Sequence, residues 1–491
     1  MSTKQSTPQT SDGPGRYDFV VVANRLPVDA SLDENGELTW KRSPGGLVSA
    51  LAPLMRSGDG AWVGWPGSTN EDLQPFEADG MRLWPVRLTQ SELGEYYEGF
   101  SNATLWPLYH DVIVPPEYHR EWWTTYNEVN QRFADAAAAA ADDGATVWVH
   151  DYQLQLVPAM LRKMRPDLRI GFFNHIPFPP VELFGQLPWR APVVEGLLGA
   201  DLVGFQRTGD AANFVRAVQR FSPHSTRGRV VNVGPNLTAD GEATMPTREV
   251  RAGTFGISID AAHIDELARS ESVQQRAAEI RSELGDPEVV LLGVDRLDYT
   301  KGIRHRFKTF GEMLTEEMVT VPEVALVQVA SPSRERVEQY QALRHQIEET
   351  VGHINGEFGS LAGSAIYYLH HSYPIEEMAA LFQAADVMLV TALRDGMNLV
   401  AKEYIAARHD LDGVLVLSEF AGAADELTQA VLINPHDIEA TKAAIMRAIQ
   451  MPATQRRRRM RSLRRRVLDN DVSAWAKKFL SALQDMPGPR S

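Results

Sequence analysis

The sequence predicts an α/β protein made of two doubly wound, Rossmann-like halves that face one another across a cleft. Three observations carry this. At 491 residues the chain exceeds what one hydrophobic core organises, and two units of roughly 200–250 residues are the natural division. Continuous apolar, β-branched runs, the mark of strands buried on both faces of a parallel sheet, alternate with helical stretches. That rhythm weakens into Gly-, Pro- and Thr-rich sequence over residues 222–251 and then restarts.

In order, residues 17–28 (YDFVVVANRLPV) open the first half as a buried strand. Residues 145–150 (ATVWVH) repeat the pattern and lead into a helical stretch over 152–164. Residues 169–180 (RIGFFNHIPFPP) read as a strand entering a proline-rich loop, and 200–206 (ADLVGFQ) as a fourth strand. The second half carries strand runs at 288–297, 324–330, 364–370, 386–393 and 413–419, with helices between them. The expected segmentation is a disordered tail over 1–15, an N-terminal half over 16–254, a C-terminal half over 255–453 and a closing helix over 454–491. The alanine run 136–141 is expected on a helix surface.

Composition narrows the function. The apolar fraction of 44% and charged fraction of 23% are those of an ordinary soluble protein. No apolar run reaches the ~18 residues that span a bilayer, and the polar N-terminus lacks a secretory leader. Cysteine is absent, which removes disulfide and thiolate chemistry. A cytoplasmic protein without a membrane partner is therefore expected. The net charge of −15 argues against a general nucleic-acid binder. The basic run 456–466 (RRRRMRSLRRR) is expected to be a solvated helix face.

In open α/β sheets, ligands bind beyond the carboxyl ends of the strands, so candidate residues are sought just after each run. In GVDRLDYTKG (293–302), Arg296 and Lys301 are two cations suited to a diphosphate whose charge grows as it leaves. In TALRDGMNLVAKEY (391–404), Asp395 and Gly396 form a turn and a helix starts near Asn398. The free N–H groups of Asn398, Leu399 and Val400 would then meet an anion. Glu403, about a turn on, suits ribose hydroxyls. Arg25 follows the first strand as a phosphate clamp, and Gly45 and Gly46 open the next helical stretch where a ligand can approach backbone. Asp151 falls where a strand meets a helix, as a cap or a ligand contact. His175 sits at a strand's C-terminal end. Tyr97 and Trp106, within a loop-like stretch, are the best-placed aromatics for a sugar face, most other tryptophans being core. No HExxH, calcium loop or Cys/His cluster is present, so no metal is expected; the Asp-x-Asp triplets at 410–412 and 469–471 receive no role.

Seven motifs in order then resemble the trehalose-6-phosphate synthases, retaining glycosyltransferases of GT-B fold. They are NRLP with PGG, EYYEGFSNATLWP, WVHDYQLQLVP, HIPFP, VDRLDYTKG, the SR of ASPSRERVEQY, and DGMNLVAKEY. The resemblance covers nearly the whole chain from Tyr17. It implies glucose transfer from UDP-, ADP- or GDP-glucose to glucose 6-phosphate, with the nucleotide-glucose a co-substrate and no metal or other cofactor. It implies that Arg296 and Lys301 hold the donor diphosphate, and that Asn398, Leu399 and Val400 hold phosphate through their backbone. Asp395 and His175 would contact the donor glucose, Glu403 the ribose, and Gly46 the donor. Arg25, Tyr97 and Arg334 would clamp the acceptor 6-phosphate, with Trp106 and Asp151 on the acceptor sugar. Arg296, Lys301, Asp395, His175 and Asp151 form the catalytic set. A homo-oligomer, dimer or tetramer, and a C-terminal helix crossing back to the first half also follow from the resemblance. Residues 251–260 (RAGTFGISID) depart from it, since a more proline-containing linker is expected there. The rival readings are another GT-B enzyme, such as a glycogen synthase or sugar-nucleotide epimerase, and a catalytically silent sugar-phosphate sensor.

Overall fold

The computed structural model describes residues 15–32, 38–42, 60–69, 73–234, 247–361 and 363–488, with Val48, Leu51 and Met55 among them. In chain order the first strands are β1 (Tyr17–Arg25), β2 (Val28–Leu32), β3 (Leu38–Arg42), β4 (Gly60–Trp65), β5 (Phe76–Ala78), β6 (Met81–Pro85), β7 (Ala141–His150), β8 (Arg169–Asn174), β9 (Leu202–Phe205), β10 (Ser225–Arg227), β11 (Val230–Val233) and β12 (Arg248–Thr254). Apart from the β2–β3 hairpin they form one sheet in the order β10-β11-β12-β9-β8-β7-β1-β4-β6-β5. It is parallel from β12 to β6 and antiparallel at both edges. The second sheet holds β13 (Val289–Arg296), β14 (Val324–Ser331), β15 (Ile366–Leu369), β16 (Val387–Val390), β17 (Val414–Ser418) and β18 (Val431–Ile433). Its order is β15-β14-β13-β16-β17-β18, all parallel.

This second order is the doubly wound one, whose connections reverse direction between β13 and β16. In the first sheet the reversal lies between β1 and β7. Crevices for ligands open beyond the strand ends at such switch points. Here those ends carry Arg25 and Asp151 in one half, and Arg296 and the 391–398 turn in the other.

Burial explains why the runs become strands. Val20, Val21 and Val22 of β1 are wholly buried, with alternate residues feeding the two faces of the sheet. One apolar cluster passes from Val21, Trp148 and Phe173 through Trp475 and Phe479 to Val290 and Met388, so both halves share core. The bridging segment is two helices, Ala453–Asp469 and Val472–Gln484, where a single closing helix was expected. Asp471 caps the second through Ala474 N–H at 2.8 Å. Phe479 lies flat against Trp148 with ring centroids 4.5 Å apart, and a Cβ at Gly171 or Gly204 would collide with it. The basic run is in the first of these helices and is only partly a solvated face. Arg464 is buried against Asp265 and the Ile405 and Ala406 carbonyls, and Arg456 pairs with Asp412. Arg457, Arg458, Arg461 and Arg465 are exposed.

Several other expectations change. Within residues 222–251, where the rhythm weakens, lie β10, β11 and most of β12. Their short or alternating burial replaces the continuous apolar run that marks central strands. The alanine run straddles the end of helix Arg120–Ala140 and the start of β7, with Ala137, Ala140 and Ala141 fully buried. The stretch carrying Tyr97 and Trp106 is helical from Gln90 to Tyr109, wound over Leu93–Leu105 with i→i+5 hydrogen bonds. The second of its two glycines serves packing, since a Cβ at Gly99 would come within 2.6 Å of the Trp122 ring. The linker after β12 is tied to both halves: Ile257 N–H donates to Gln206 at 2.9 Å, and Lys402 Nζ to the Ile257 carbonyl at 2.8 Å. Among the described residues, no helix is long and apolar enough to cross a membrane.

Candidate active site

The second half builds its wall of the crevice from the turns after β13, β14 and β16. After β13, Asp298 accepts from Thr300 N–H at 3.0 Å and closes a short turn that delivers Lys301. Lys301 Nζ then reaches Asp395 Oδ2 at 2.6 Å, and Asn398 Nδ2 donates to the same oxygen at 3.2 Å. Burial pushes the Asp395 carboxyl up, but Lys301 and these hydrogen bonds outweigh it and hold it below its ordinary range. Asn398, at φ 75°, caps helix Leu399–Ala407 by accepting from Ala401 N–H at 3.1 Å. The Leu399 and Val400 N–H groups of the first turn remain for a ligand, with the positive end of the helix dipole behind them. Glu403 lies on the same helix, and burial pushes its carboxyl up to about 7. Arg296 is exposed and makes no hydrogen bond or ion pair among the described residues.

Arg334, after β14, crosses to the first half. Its guanidinium sits 3.8 Å from the centroid of the Trp106 ring and donates to Tyr152 Oη at 3.2 Å. It also pairs with Asp298 at 3.0 Å, and its side chain is only 4% exposed. Burial opposes charge on Asp298, yet Arg334, Arg296 and Lys301 hold it at about 2. Arg296 lies 5.4 Å from the same Trp106 ring. Cations of one half thus stack on an aromatic of the other, a contact strengthened by exclusion of water. Trp106 Nε1 is buried and has no hydrogen-bond partner among the described residues.

The first half contributes residues from four places. Asp151 follows β7 at φ 75°, accepts from His175 N–H at 3.1 Å, and makes no side-chain cap, so the cap reading fails for its carboxylate. Burial pushes Asp151 up to about 6. His175 follows β8 and is held near neutral form, its imidazole pushed down to about 3 by burial. Tyr97 and Arg334 line one cavity of about 240 Å3 with Ser333 and Arg336. Arg25 lies over Trp65 at 4.7 Å from the ring centroid and is ion-paired with Asp29. Gly67, at φ 94°, lets the chain pass against that guanidinium. Trp65 is 6.4 Å from Tyr97, which links Arg25 to the cavity wall. Gly46 lies outside the described residues.

The crevice therefore joins Asp151, His175 and Trp106 to Arg296, Lys301, Arg334 and Asp395, whereas Arg25 stands at its margin. Both cations expected on a phosphate already have carboxylate partners, Asp29 and Asp298, which an incoming phosphate must share or displace. Sequence reasoning passed over Asp298, Tyr152 and His110. His110 is buried against Trp106, with Nδ1 2.8 Å from the Trp106 carbonyl, and feels Asp298, Lys301 and Asp395 across the crevice. Gly396 is glycine because a Cβ there would stand 2.3 Å from the His175 carbonyl oxygen of the other half. Among the described residues, the one acidic trio within reach of a shared ion, Glu312, Glu316 and Glu439, instead surrounds Lys442 Nζ at 2.5–3.2 Å.

Comparison with known proteins identifies the family and the fold. The sequence model described as Glycosyltransferase family 20 matches residues 17–485. A trehalose-6-phosphate synthase of Mycobacterium avium (strain 104) is 59% identical over 480 residues, covering 97% of each chain. That of Mycobacterium tuberculosis (strain CDC 1551 / Oshkosh) is 57% identical, covering 96% of this chain and 95% of its own. Among solved structures, an α,α-trehalose-phosphate synthase (UDP-forming) from Burkholderia xenovorans in complex with glucose-6-phosphate superposes with a TM-score of 0.84 at 34% identity, over 96% of this chain and 100% of that one. An E. coli structure bound with UDP-2-fluoro glucose superposes with a TM-score of 0.84 at 33% identity, over 96% and 99%.

Proposed function

The chain belongs to glycosyltransferase family 20, and we propose that it makes α,α-trehalose 6-phosphate by moving glucose from a nucleotide-glucose to glucose 6-phosphate with retention at the anomeric carbon. The observation that carries this is the crevice itself. Arg296, which makes no ion pair among the described residues, and the Lys301–Asp395 pair stand beside the N-terminus of helix Leu399–Ala407, opposite Trp106, Asp151 and His175.

In this reading Arg296, Lys301 and the Leu399 and Val400 N–H groups take the donor diphosphate. Glu403 takes the ribose, and Asp395 and His175 the transferring glucose. Trp106 and Asp151 hold the acceptor sugar, and Arg25, Tyr97 and Arg334 its phosphate. The bond from the anomeric carbon to the diphosphate oxygen breaks as the acceptor hydroxyl oxygen bonds to the same face. The acceptor proton passes to the departing oxygen. Asp395 is a poor nucleophile here, because Lys301 and Asn398 occupy its carboxylate and lower its basicity. The protein's contribution is alignment, worth up to roughly 7–11 kcal/mol, and cations fixed where negative charge develops.

The test is release of NDP and formation of trehalose 6-phosphate from UDP-, ADP- and GDP-glucose with glucose 6-phosphate, run with and without EDTA. The expected result is product with at least one donor, undiminished by chelation. Transfer to glucan instead, or no turnover with any donor, would overturn the reading.

A further inference from the structure

β7 and β8 are neighbouring parallel strands in which His150 is in register with Phe173. This places the last residue of β7 beside the first residue beyond β8, and the two side chains meet. His150 Nδ1 lies 3.0 Å from His175 Nε2. His150 is fully buried, beside the Trp148 ring at 4.6 Å between centroids. Its other nitrogen, Nε2, is buried with no hydrogen-bond partner among the described residues. His175 Nδ1 makes no hydrogen bond among the described residues, and the residue is only partly buried, so that nitrogen is the one left for the crevice.

Two neutral imidazoles sharing one short contact hold a single proton between them, and two arrangements are available. If His175 donates from Nε2, His150 must carry its own proton on Nε2, where a buried N–H has nothing to meet. If His150 donates from Nδ1, its Nε2 is a bare lone pair and no N–H is orphaned. Orphaned buried N–H groups are the rarer and costlier outcome. His175 then carries its remaining proton on Nδ1.

We propose that His150 is a positioning residue that fixes His175 as the Nδ1–H tautomer, so that His175 offers the ligand a hydrogen-bond donor. The partner of that donor is an oxygen of the transferring sugar, which rests on the reading of His175 given above. The Asp151 carboxylate steadies the same residue from the backbone side by accepting its N–H. His175 is thus held at two points, its ring by the last residue of β7 and its main chain by the residue that follows it. The arrangement requires no titration near neutral pH, because burial keeps both rings uncharged.

The first measurement is the ring 15N spectrum of the full-length, ligand-free protein labelled at histidine, with His175→Ala and His150→Phe used for assignment. A protonated Nδ1 and a bare Nε2 at His175 are expected. A proton on His175 Nε2 would overturn the proposal. The second measurement is kinetic. His150→Phe removes the donor and should lower kcat about tenfold, as for one lost hydrogen bond, with KM for glucose 6-phosphate unchanged. His150→Asn returns an N–H near the same place and should recover most of the loss. Full kcat in His150→Phe would overturn the positioning role. His175→Ala separates this from the parent reading: unchanged kcat there would remove the sugar contact while leaving the tautomer result standing.

Discussion

Asp151 is a residue whose backbone and side chain are both held in unfavourable states, which supports the role proposed for it. It adopts φ 75°, a region that costs a non-glycine residue free energy. Burial raises its carboxyl from the usual 3.8 to about 6. Because the folded value is the higher one, the folded state keeps a proton that the unfolded chain has released. Stability attributable to Asp151 is therefore present below about 4 and declines as pH rises toward 6. The acid limb of kcat/KM should show an apparent pKa near 6, and Asp151→Asn should abolish that limb and slow turnover. A limb that persists in the variant would show that another group titrates there. Arg334 makes a different kind of prediction, because its fork is shared between Asp298, Tyr340, Tyr152 and the Trp106 face. Arg334→Lys keeps a charge for buried Asp298 but loses the fork. KM for glucose 6-phosphate should rise with melting temperature nearly unchanged, whereas Arg334→Ala should lose both. An unchanged KM in Arg334→Lys would take Arg334 off the acceptor phosphate.

At the scale of elements, helix Val472–Gln484 shows how the end of the chain is made part of the first core. Glycines at 171 and 204 remove two Cβ atoms from the sheet face, and Phe479 fills the space against Trp148. Phe479→Ala should cost about 3–5 kcal/mol, read by urea unfolding, with kcat preserved at temperatures well below the transition. A loss under about 1 kcal/mol would mean that the site collapses around the cavity. The same element shows where sequence reading succeeds and where it stops. Central strands such as β1 and β13 are legible because burial on both faces leaves unbroken apolar runs. β4 (GAWVGW) is just as buried but escaped notice, since glycine and tryptophan interrupt the β-branched signal. The helix carrying Tyr97 and Trp106 looked like loop because Gly, Ser, Asn and Pro are turn formers locally. Its Gly99 answers instead to Trp122, 23 positions away in the chain. Arg296, Lys301, Asp395 and Asn398 were legible from the rule of strand ends. Asp298 and His110 were not, because their importance is set by partners that only the fold assembles.

At the scale of the molecule, the two halves are held face to face by contacts of unequal weight. Arg207 and Asp425 form a two-pronged ion pair at 2.7 and 2.8 Å, but Asp425 is half exposed. Such a pair is screened and is worth about 0–1 kcal/mol. Arg394 is placed otherwise. It precedes Asp395 in the chain, and its guanidinium reaches Asp111 at 3.3 Å and Asp210 at 3.4 Å, both in the first half. Asp210 is buried and its carboxyl is pushed up to about 6, with Arg394 the principal charge opposing that rise. Asp111 lies beside His110 and holds φ 57°. A residue that bridges the halves is therefore one peptide away from the carboxylate that faces Lys301, so a closure on substrate binding would act through the same turn that carries Asp395. Arg394→Ala should leave Asp210 buried without its counter-charge, favour the open arrangement, and lower kcat/KM for both substrates by about tenfold or more, roughly 1.4 kcal/mol or above. Arg207→Ala should change it little. Small-angle scattering should show wild type compacting with donor and acceptor, and Arg394→Ala compacting less. Equal compaction and equal kcat/KM in the two variants would place the closing interaction elsewhere, at the Gly396 contact with the His175 carbonyl.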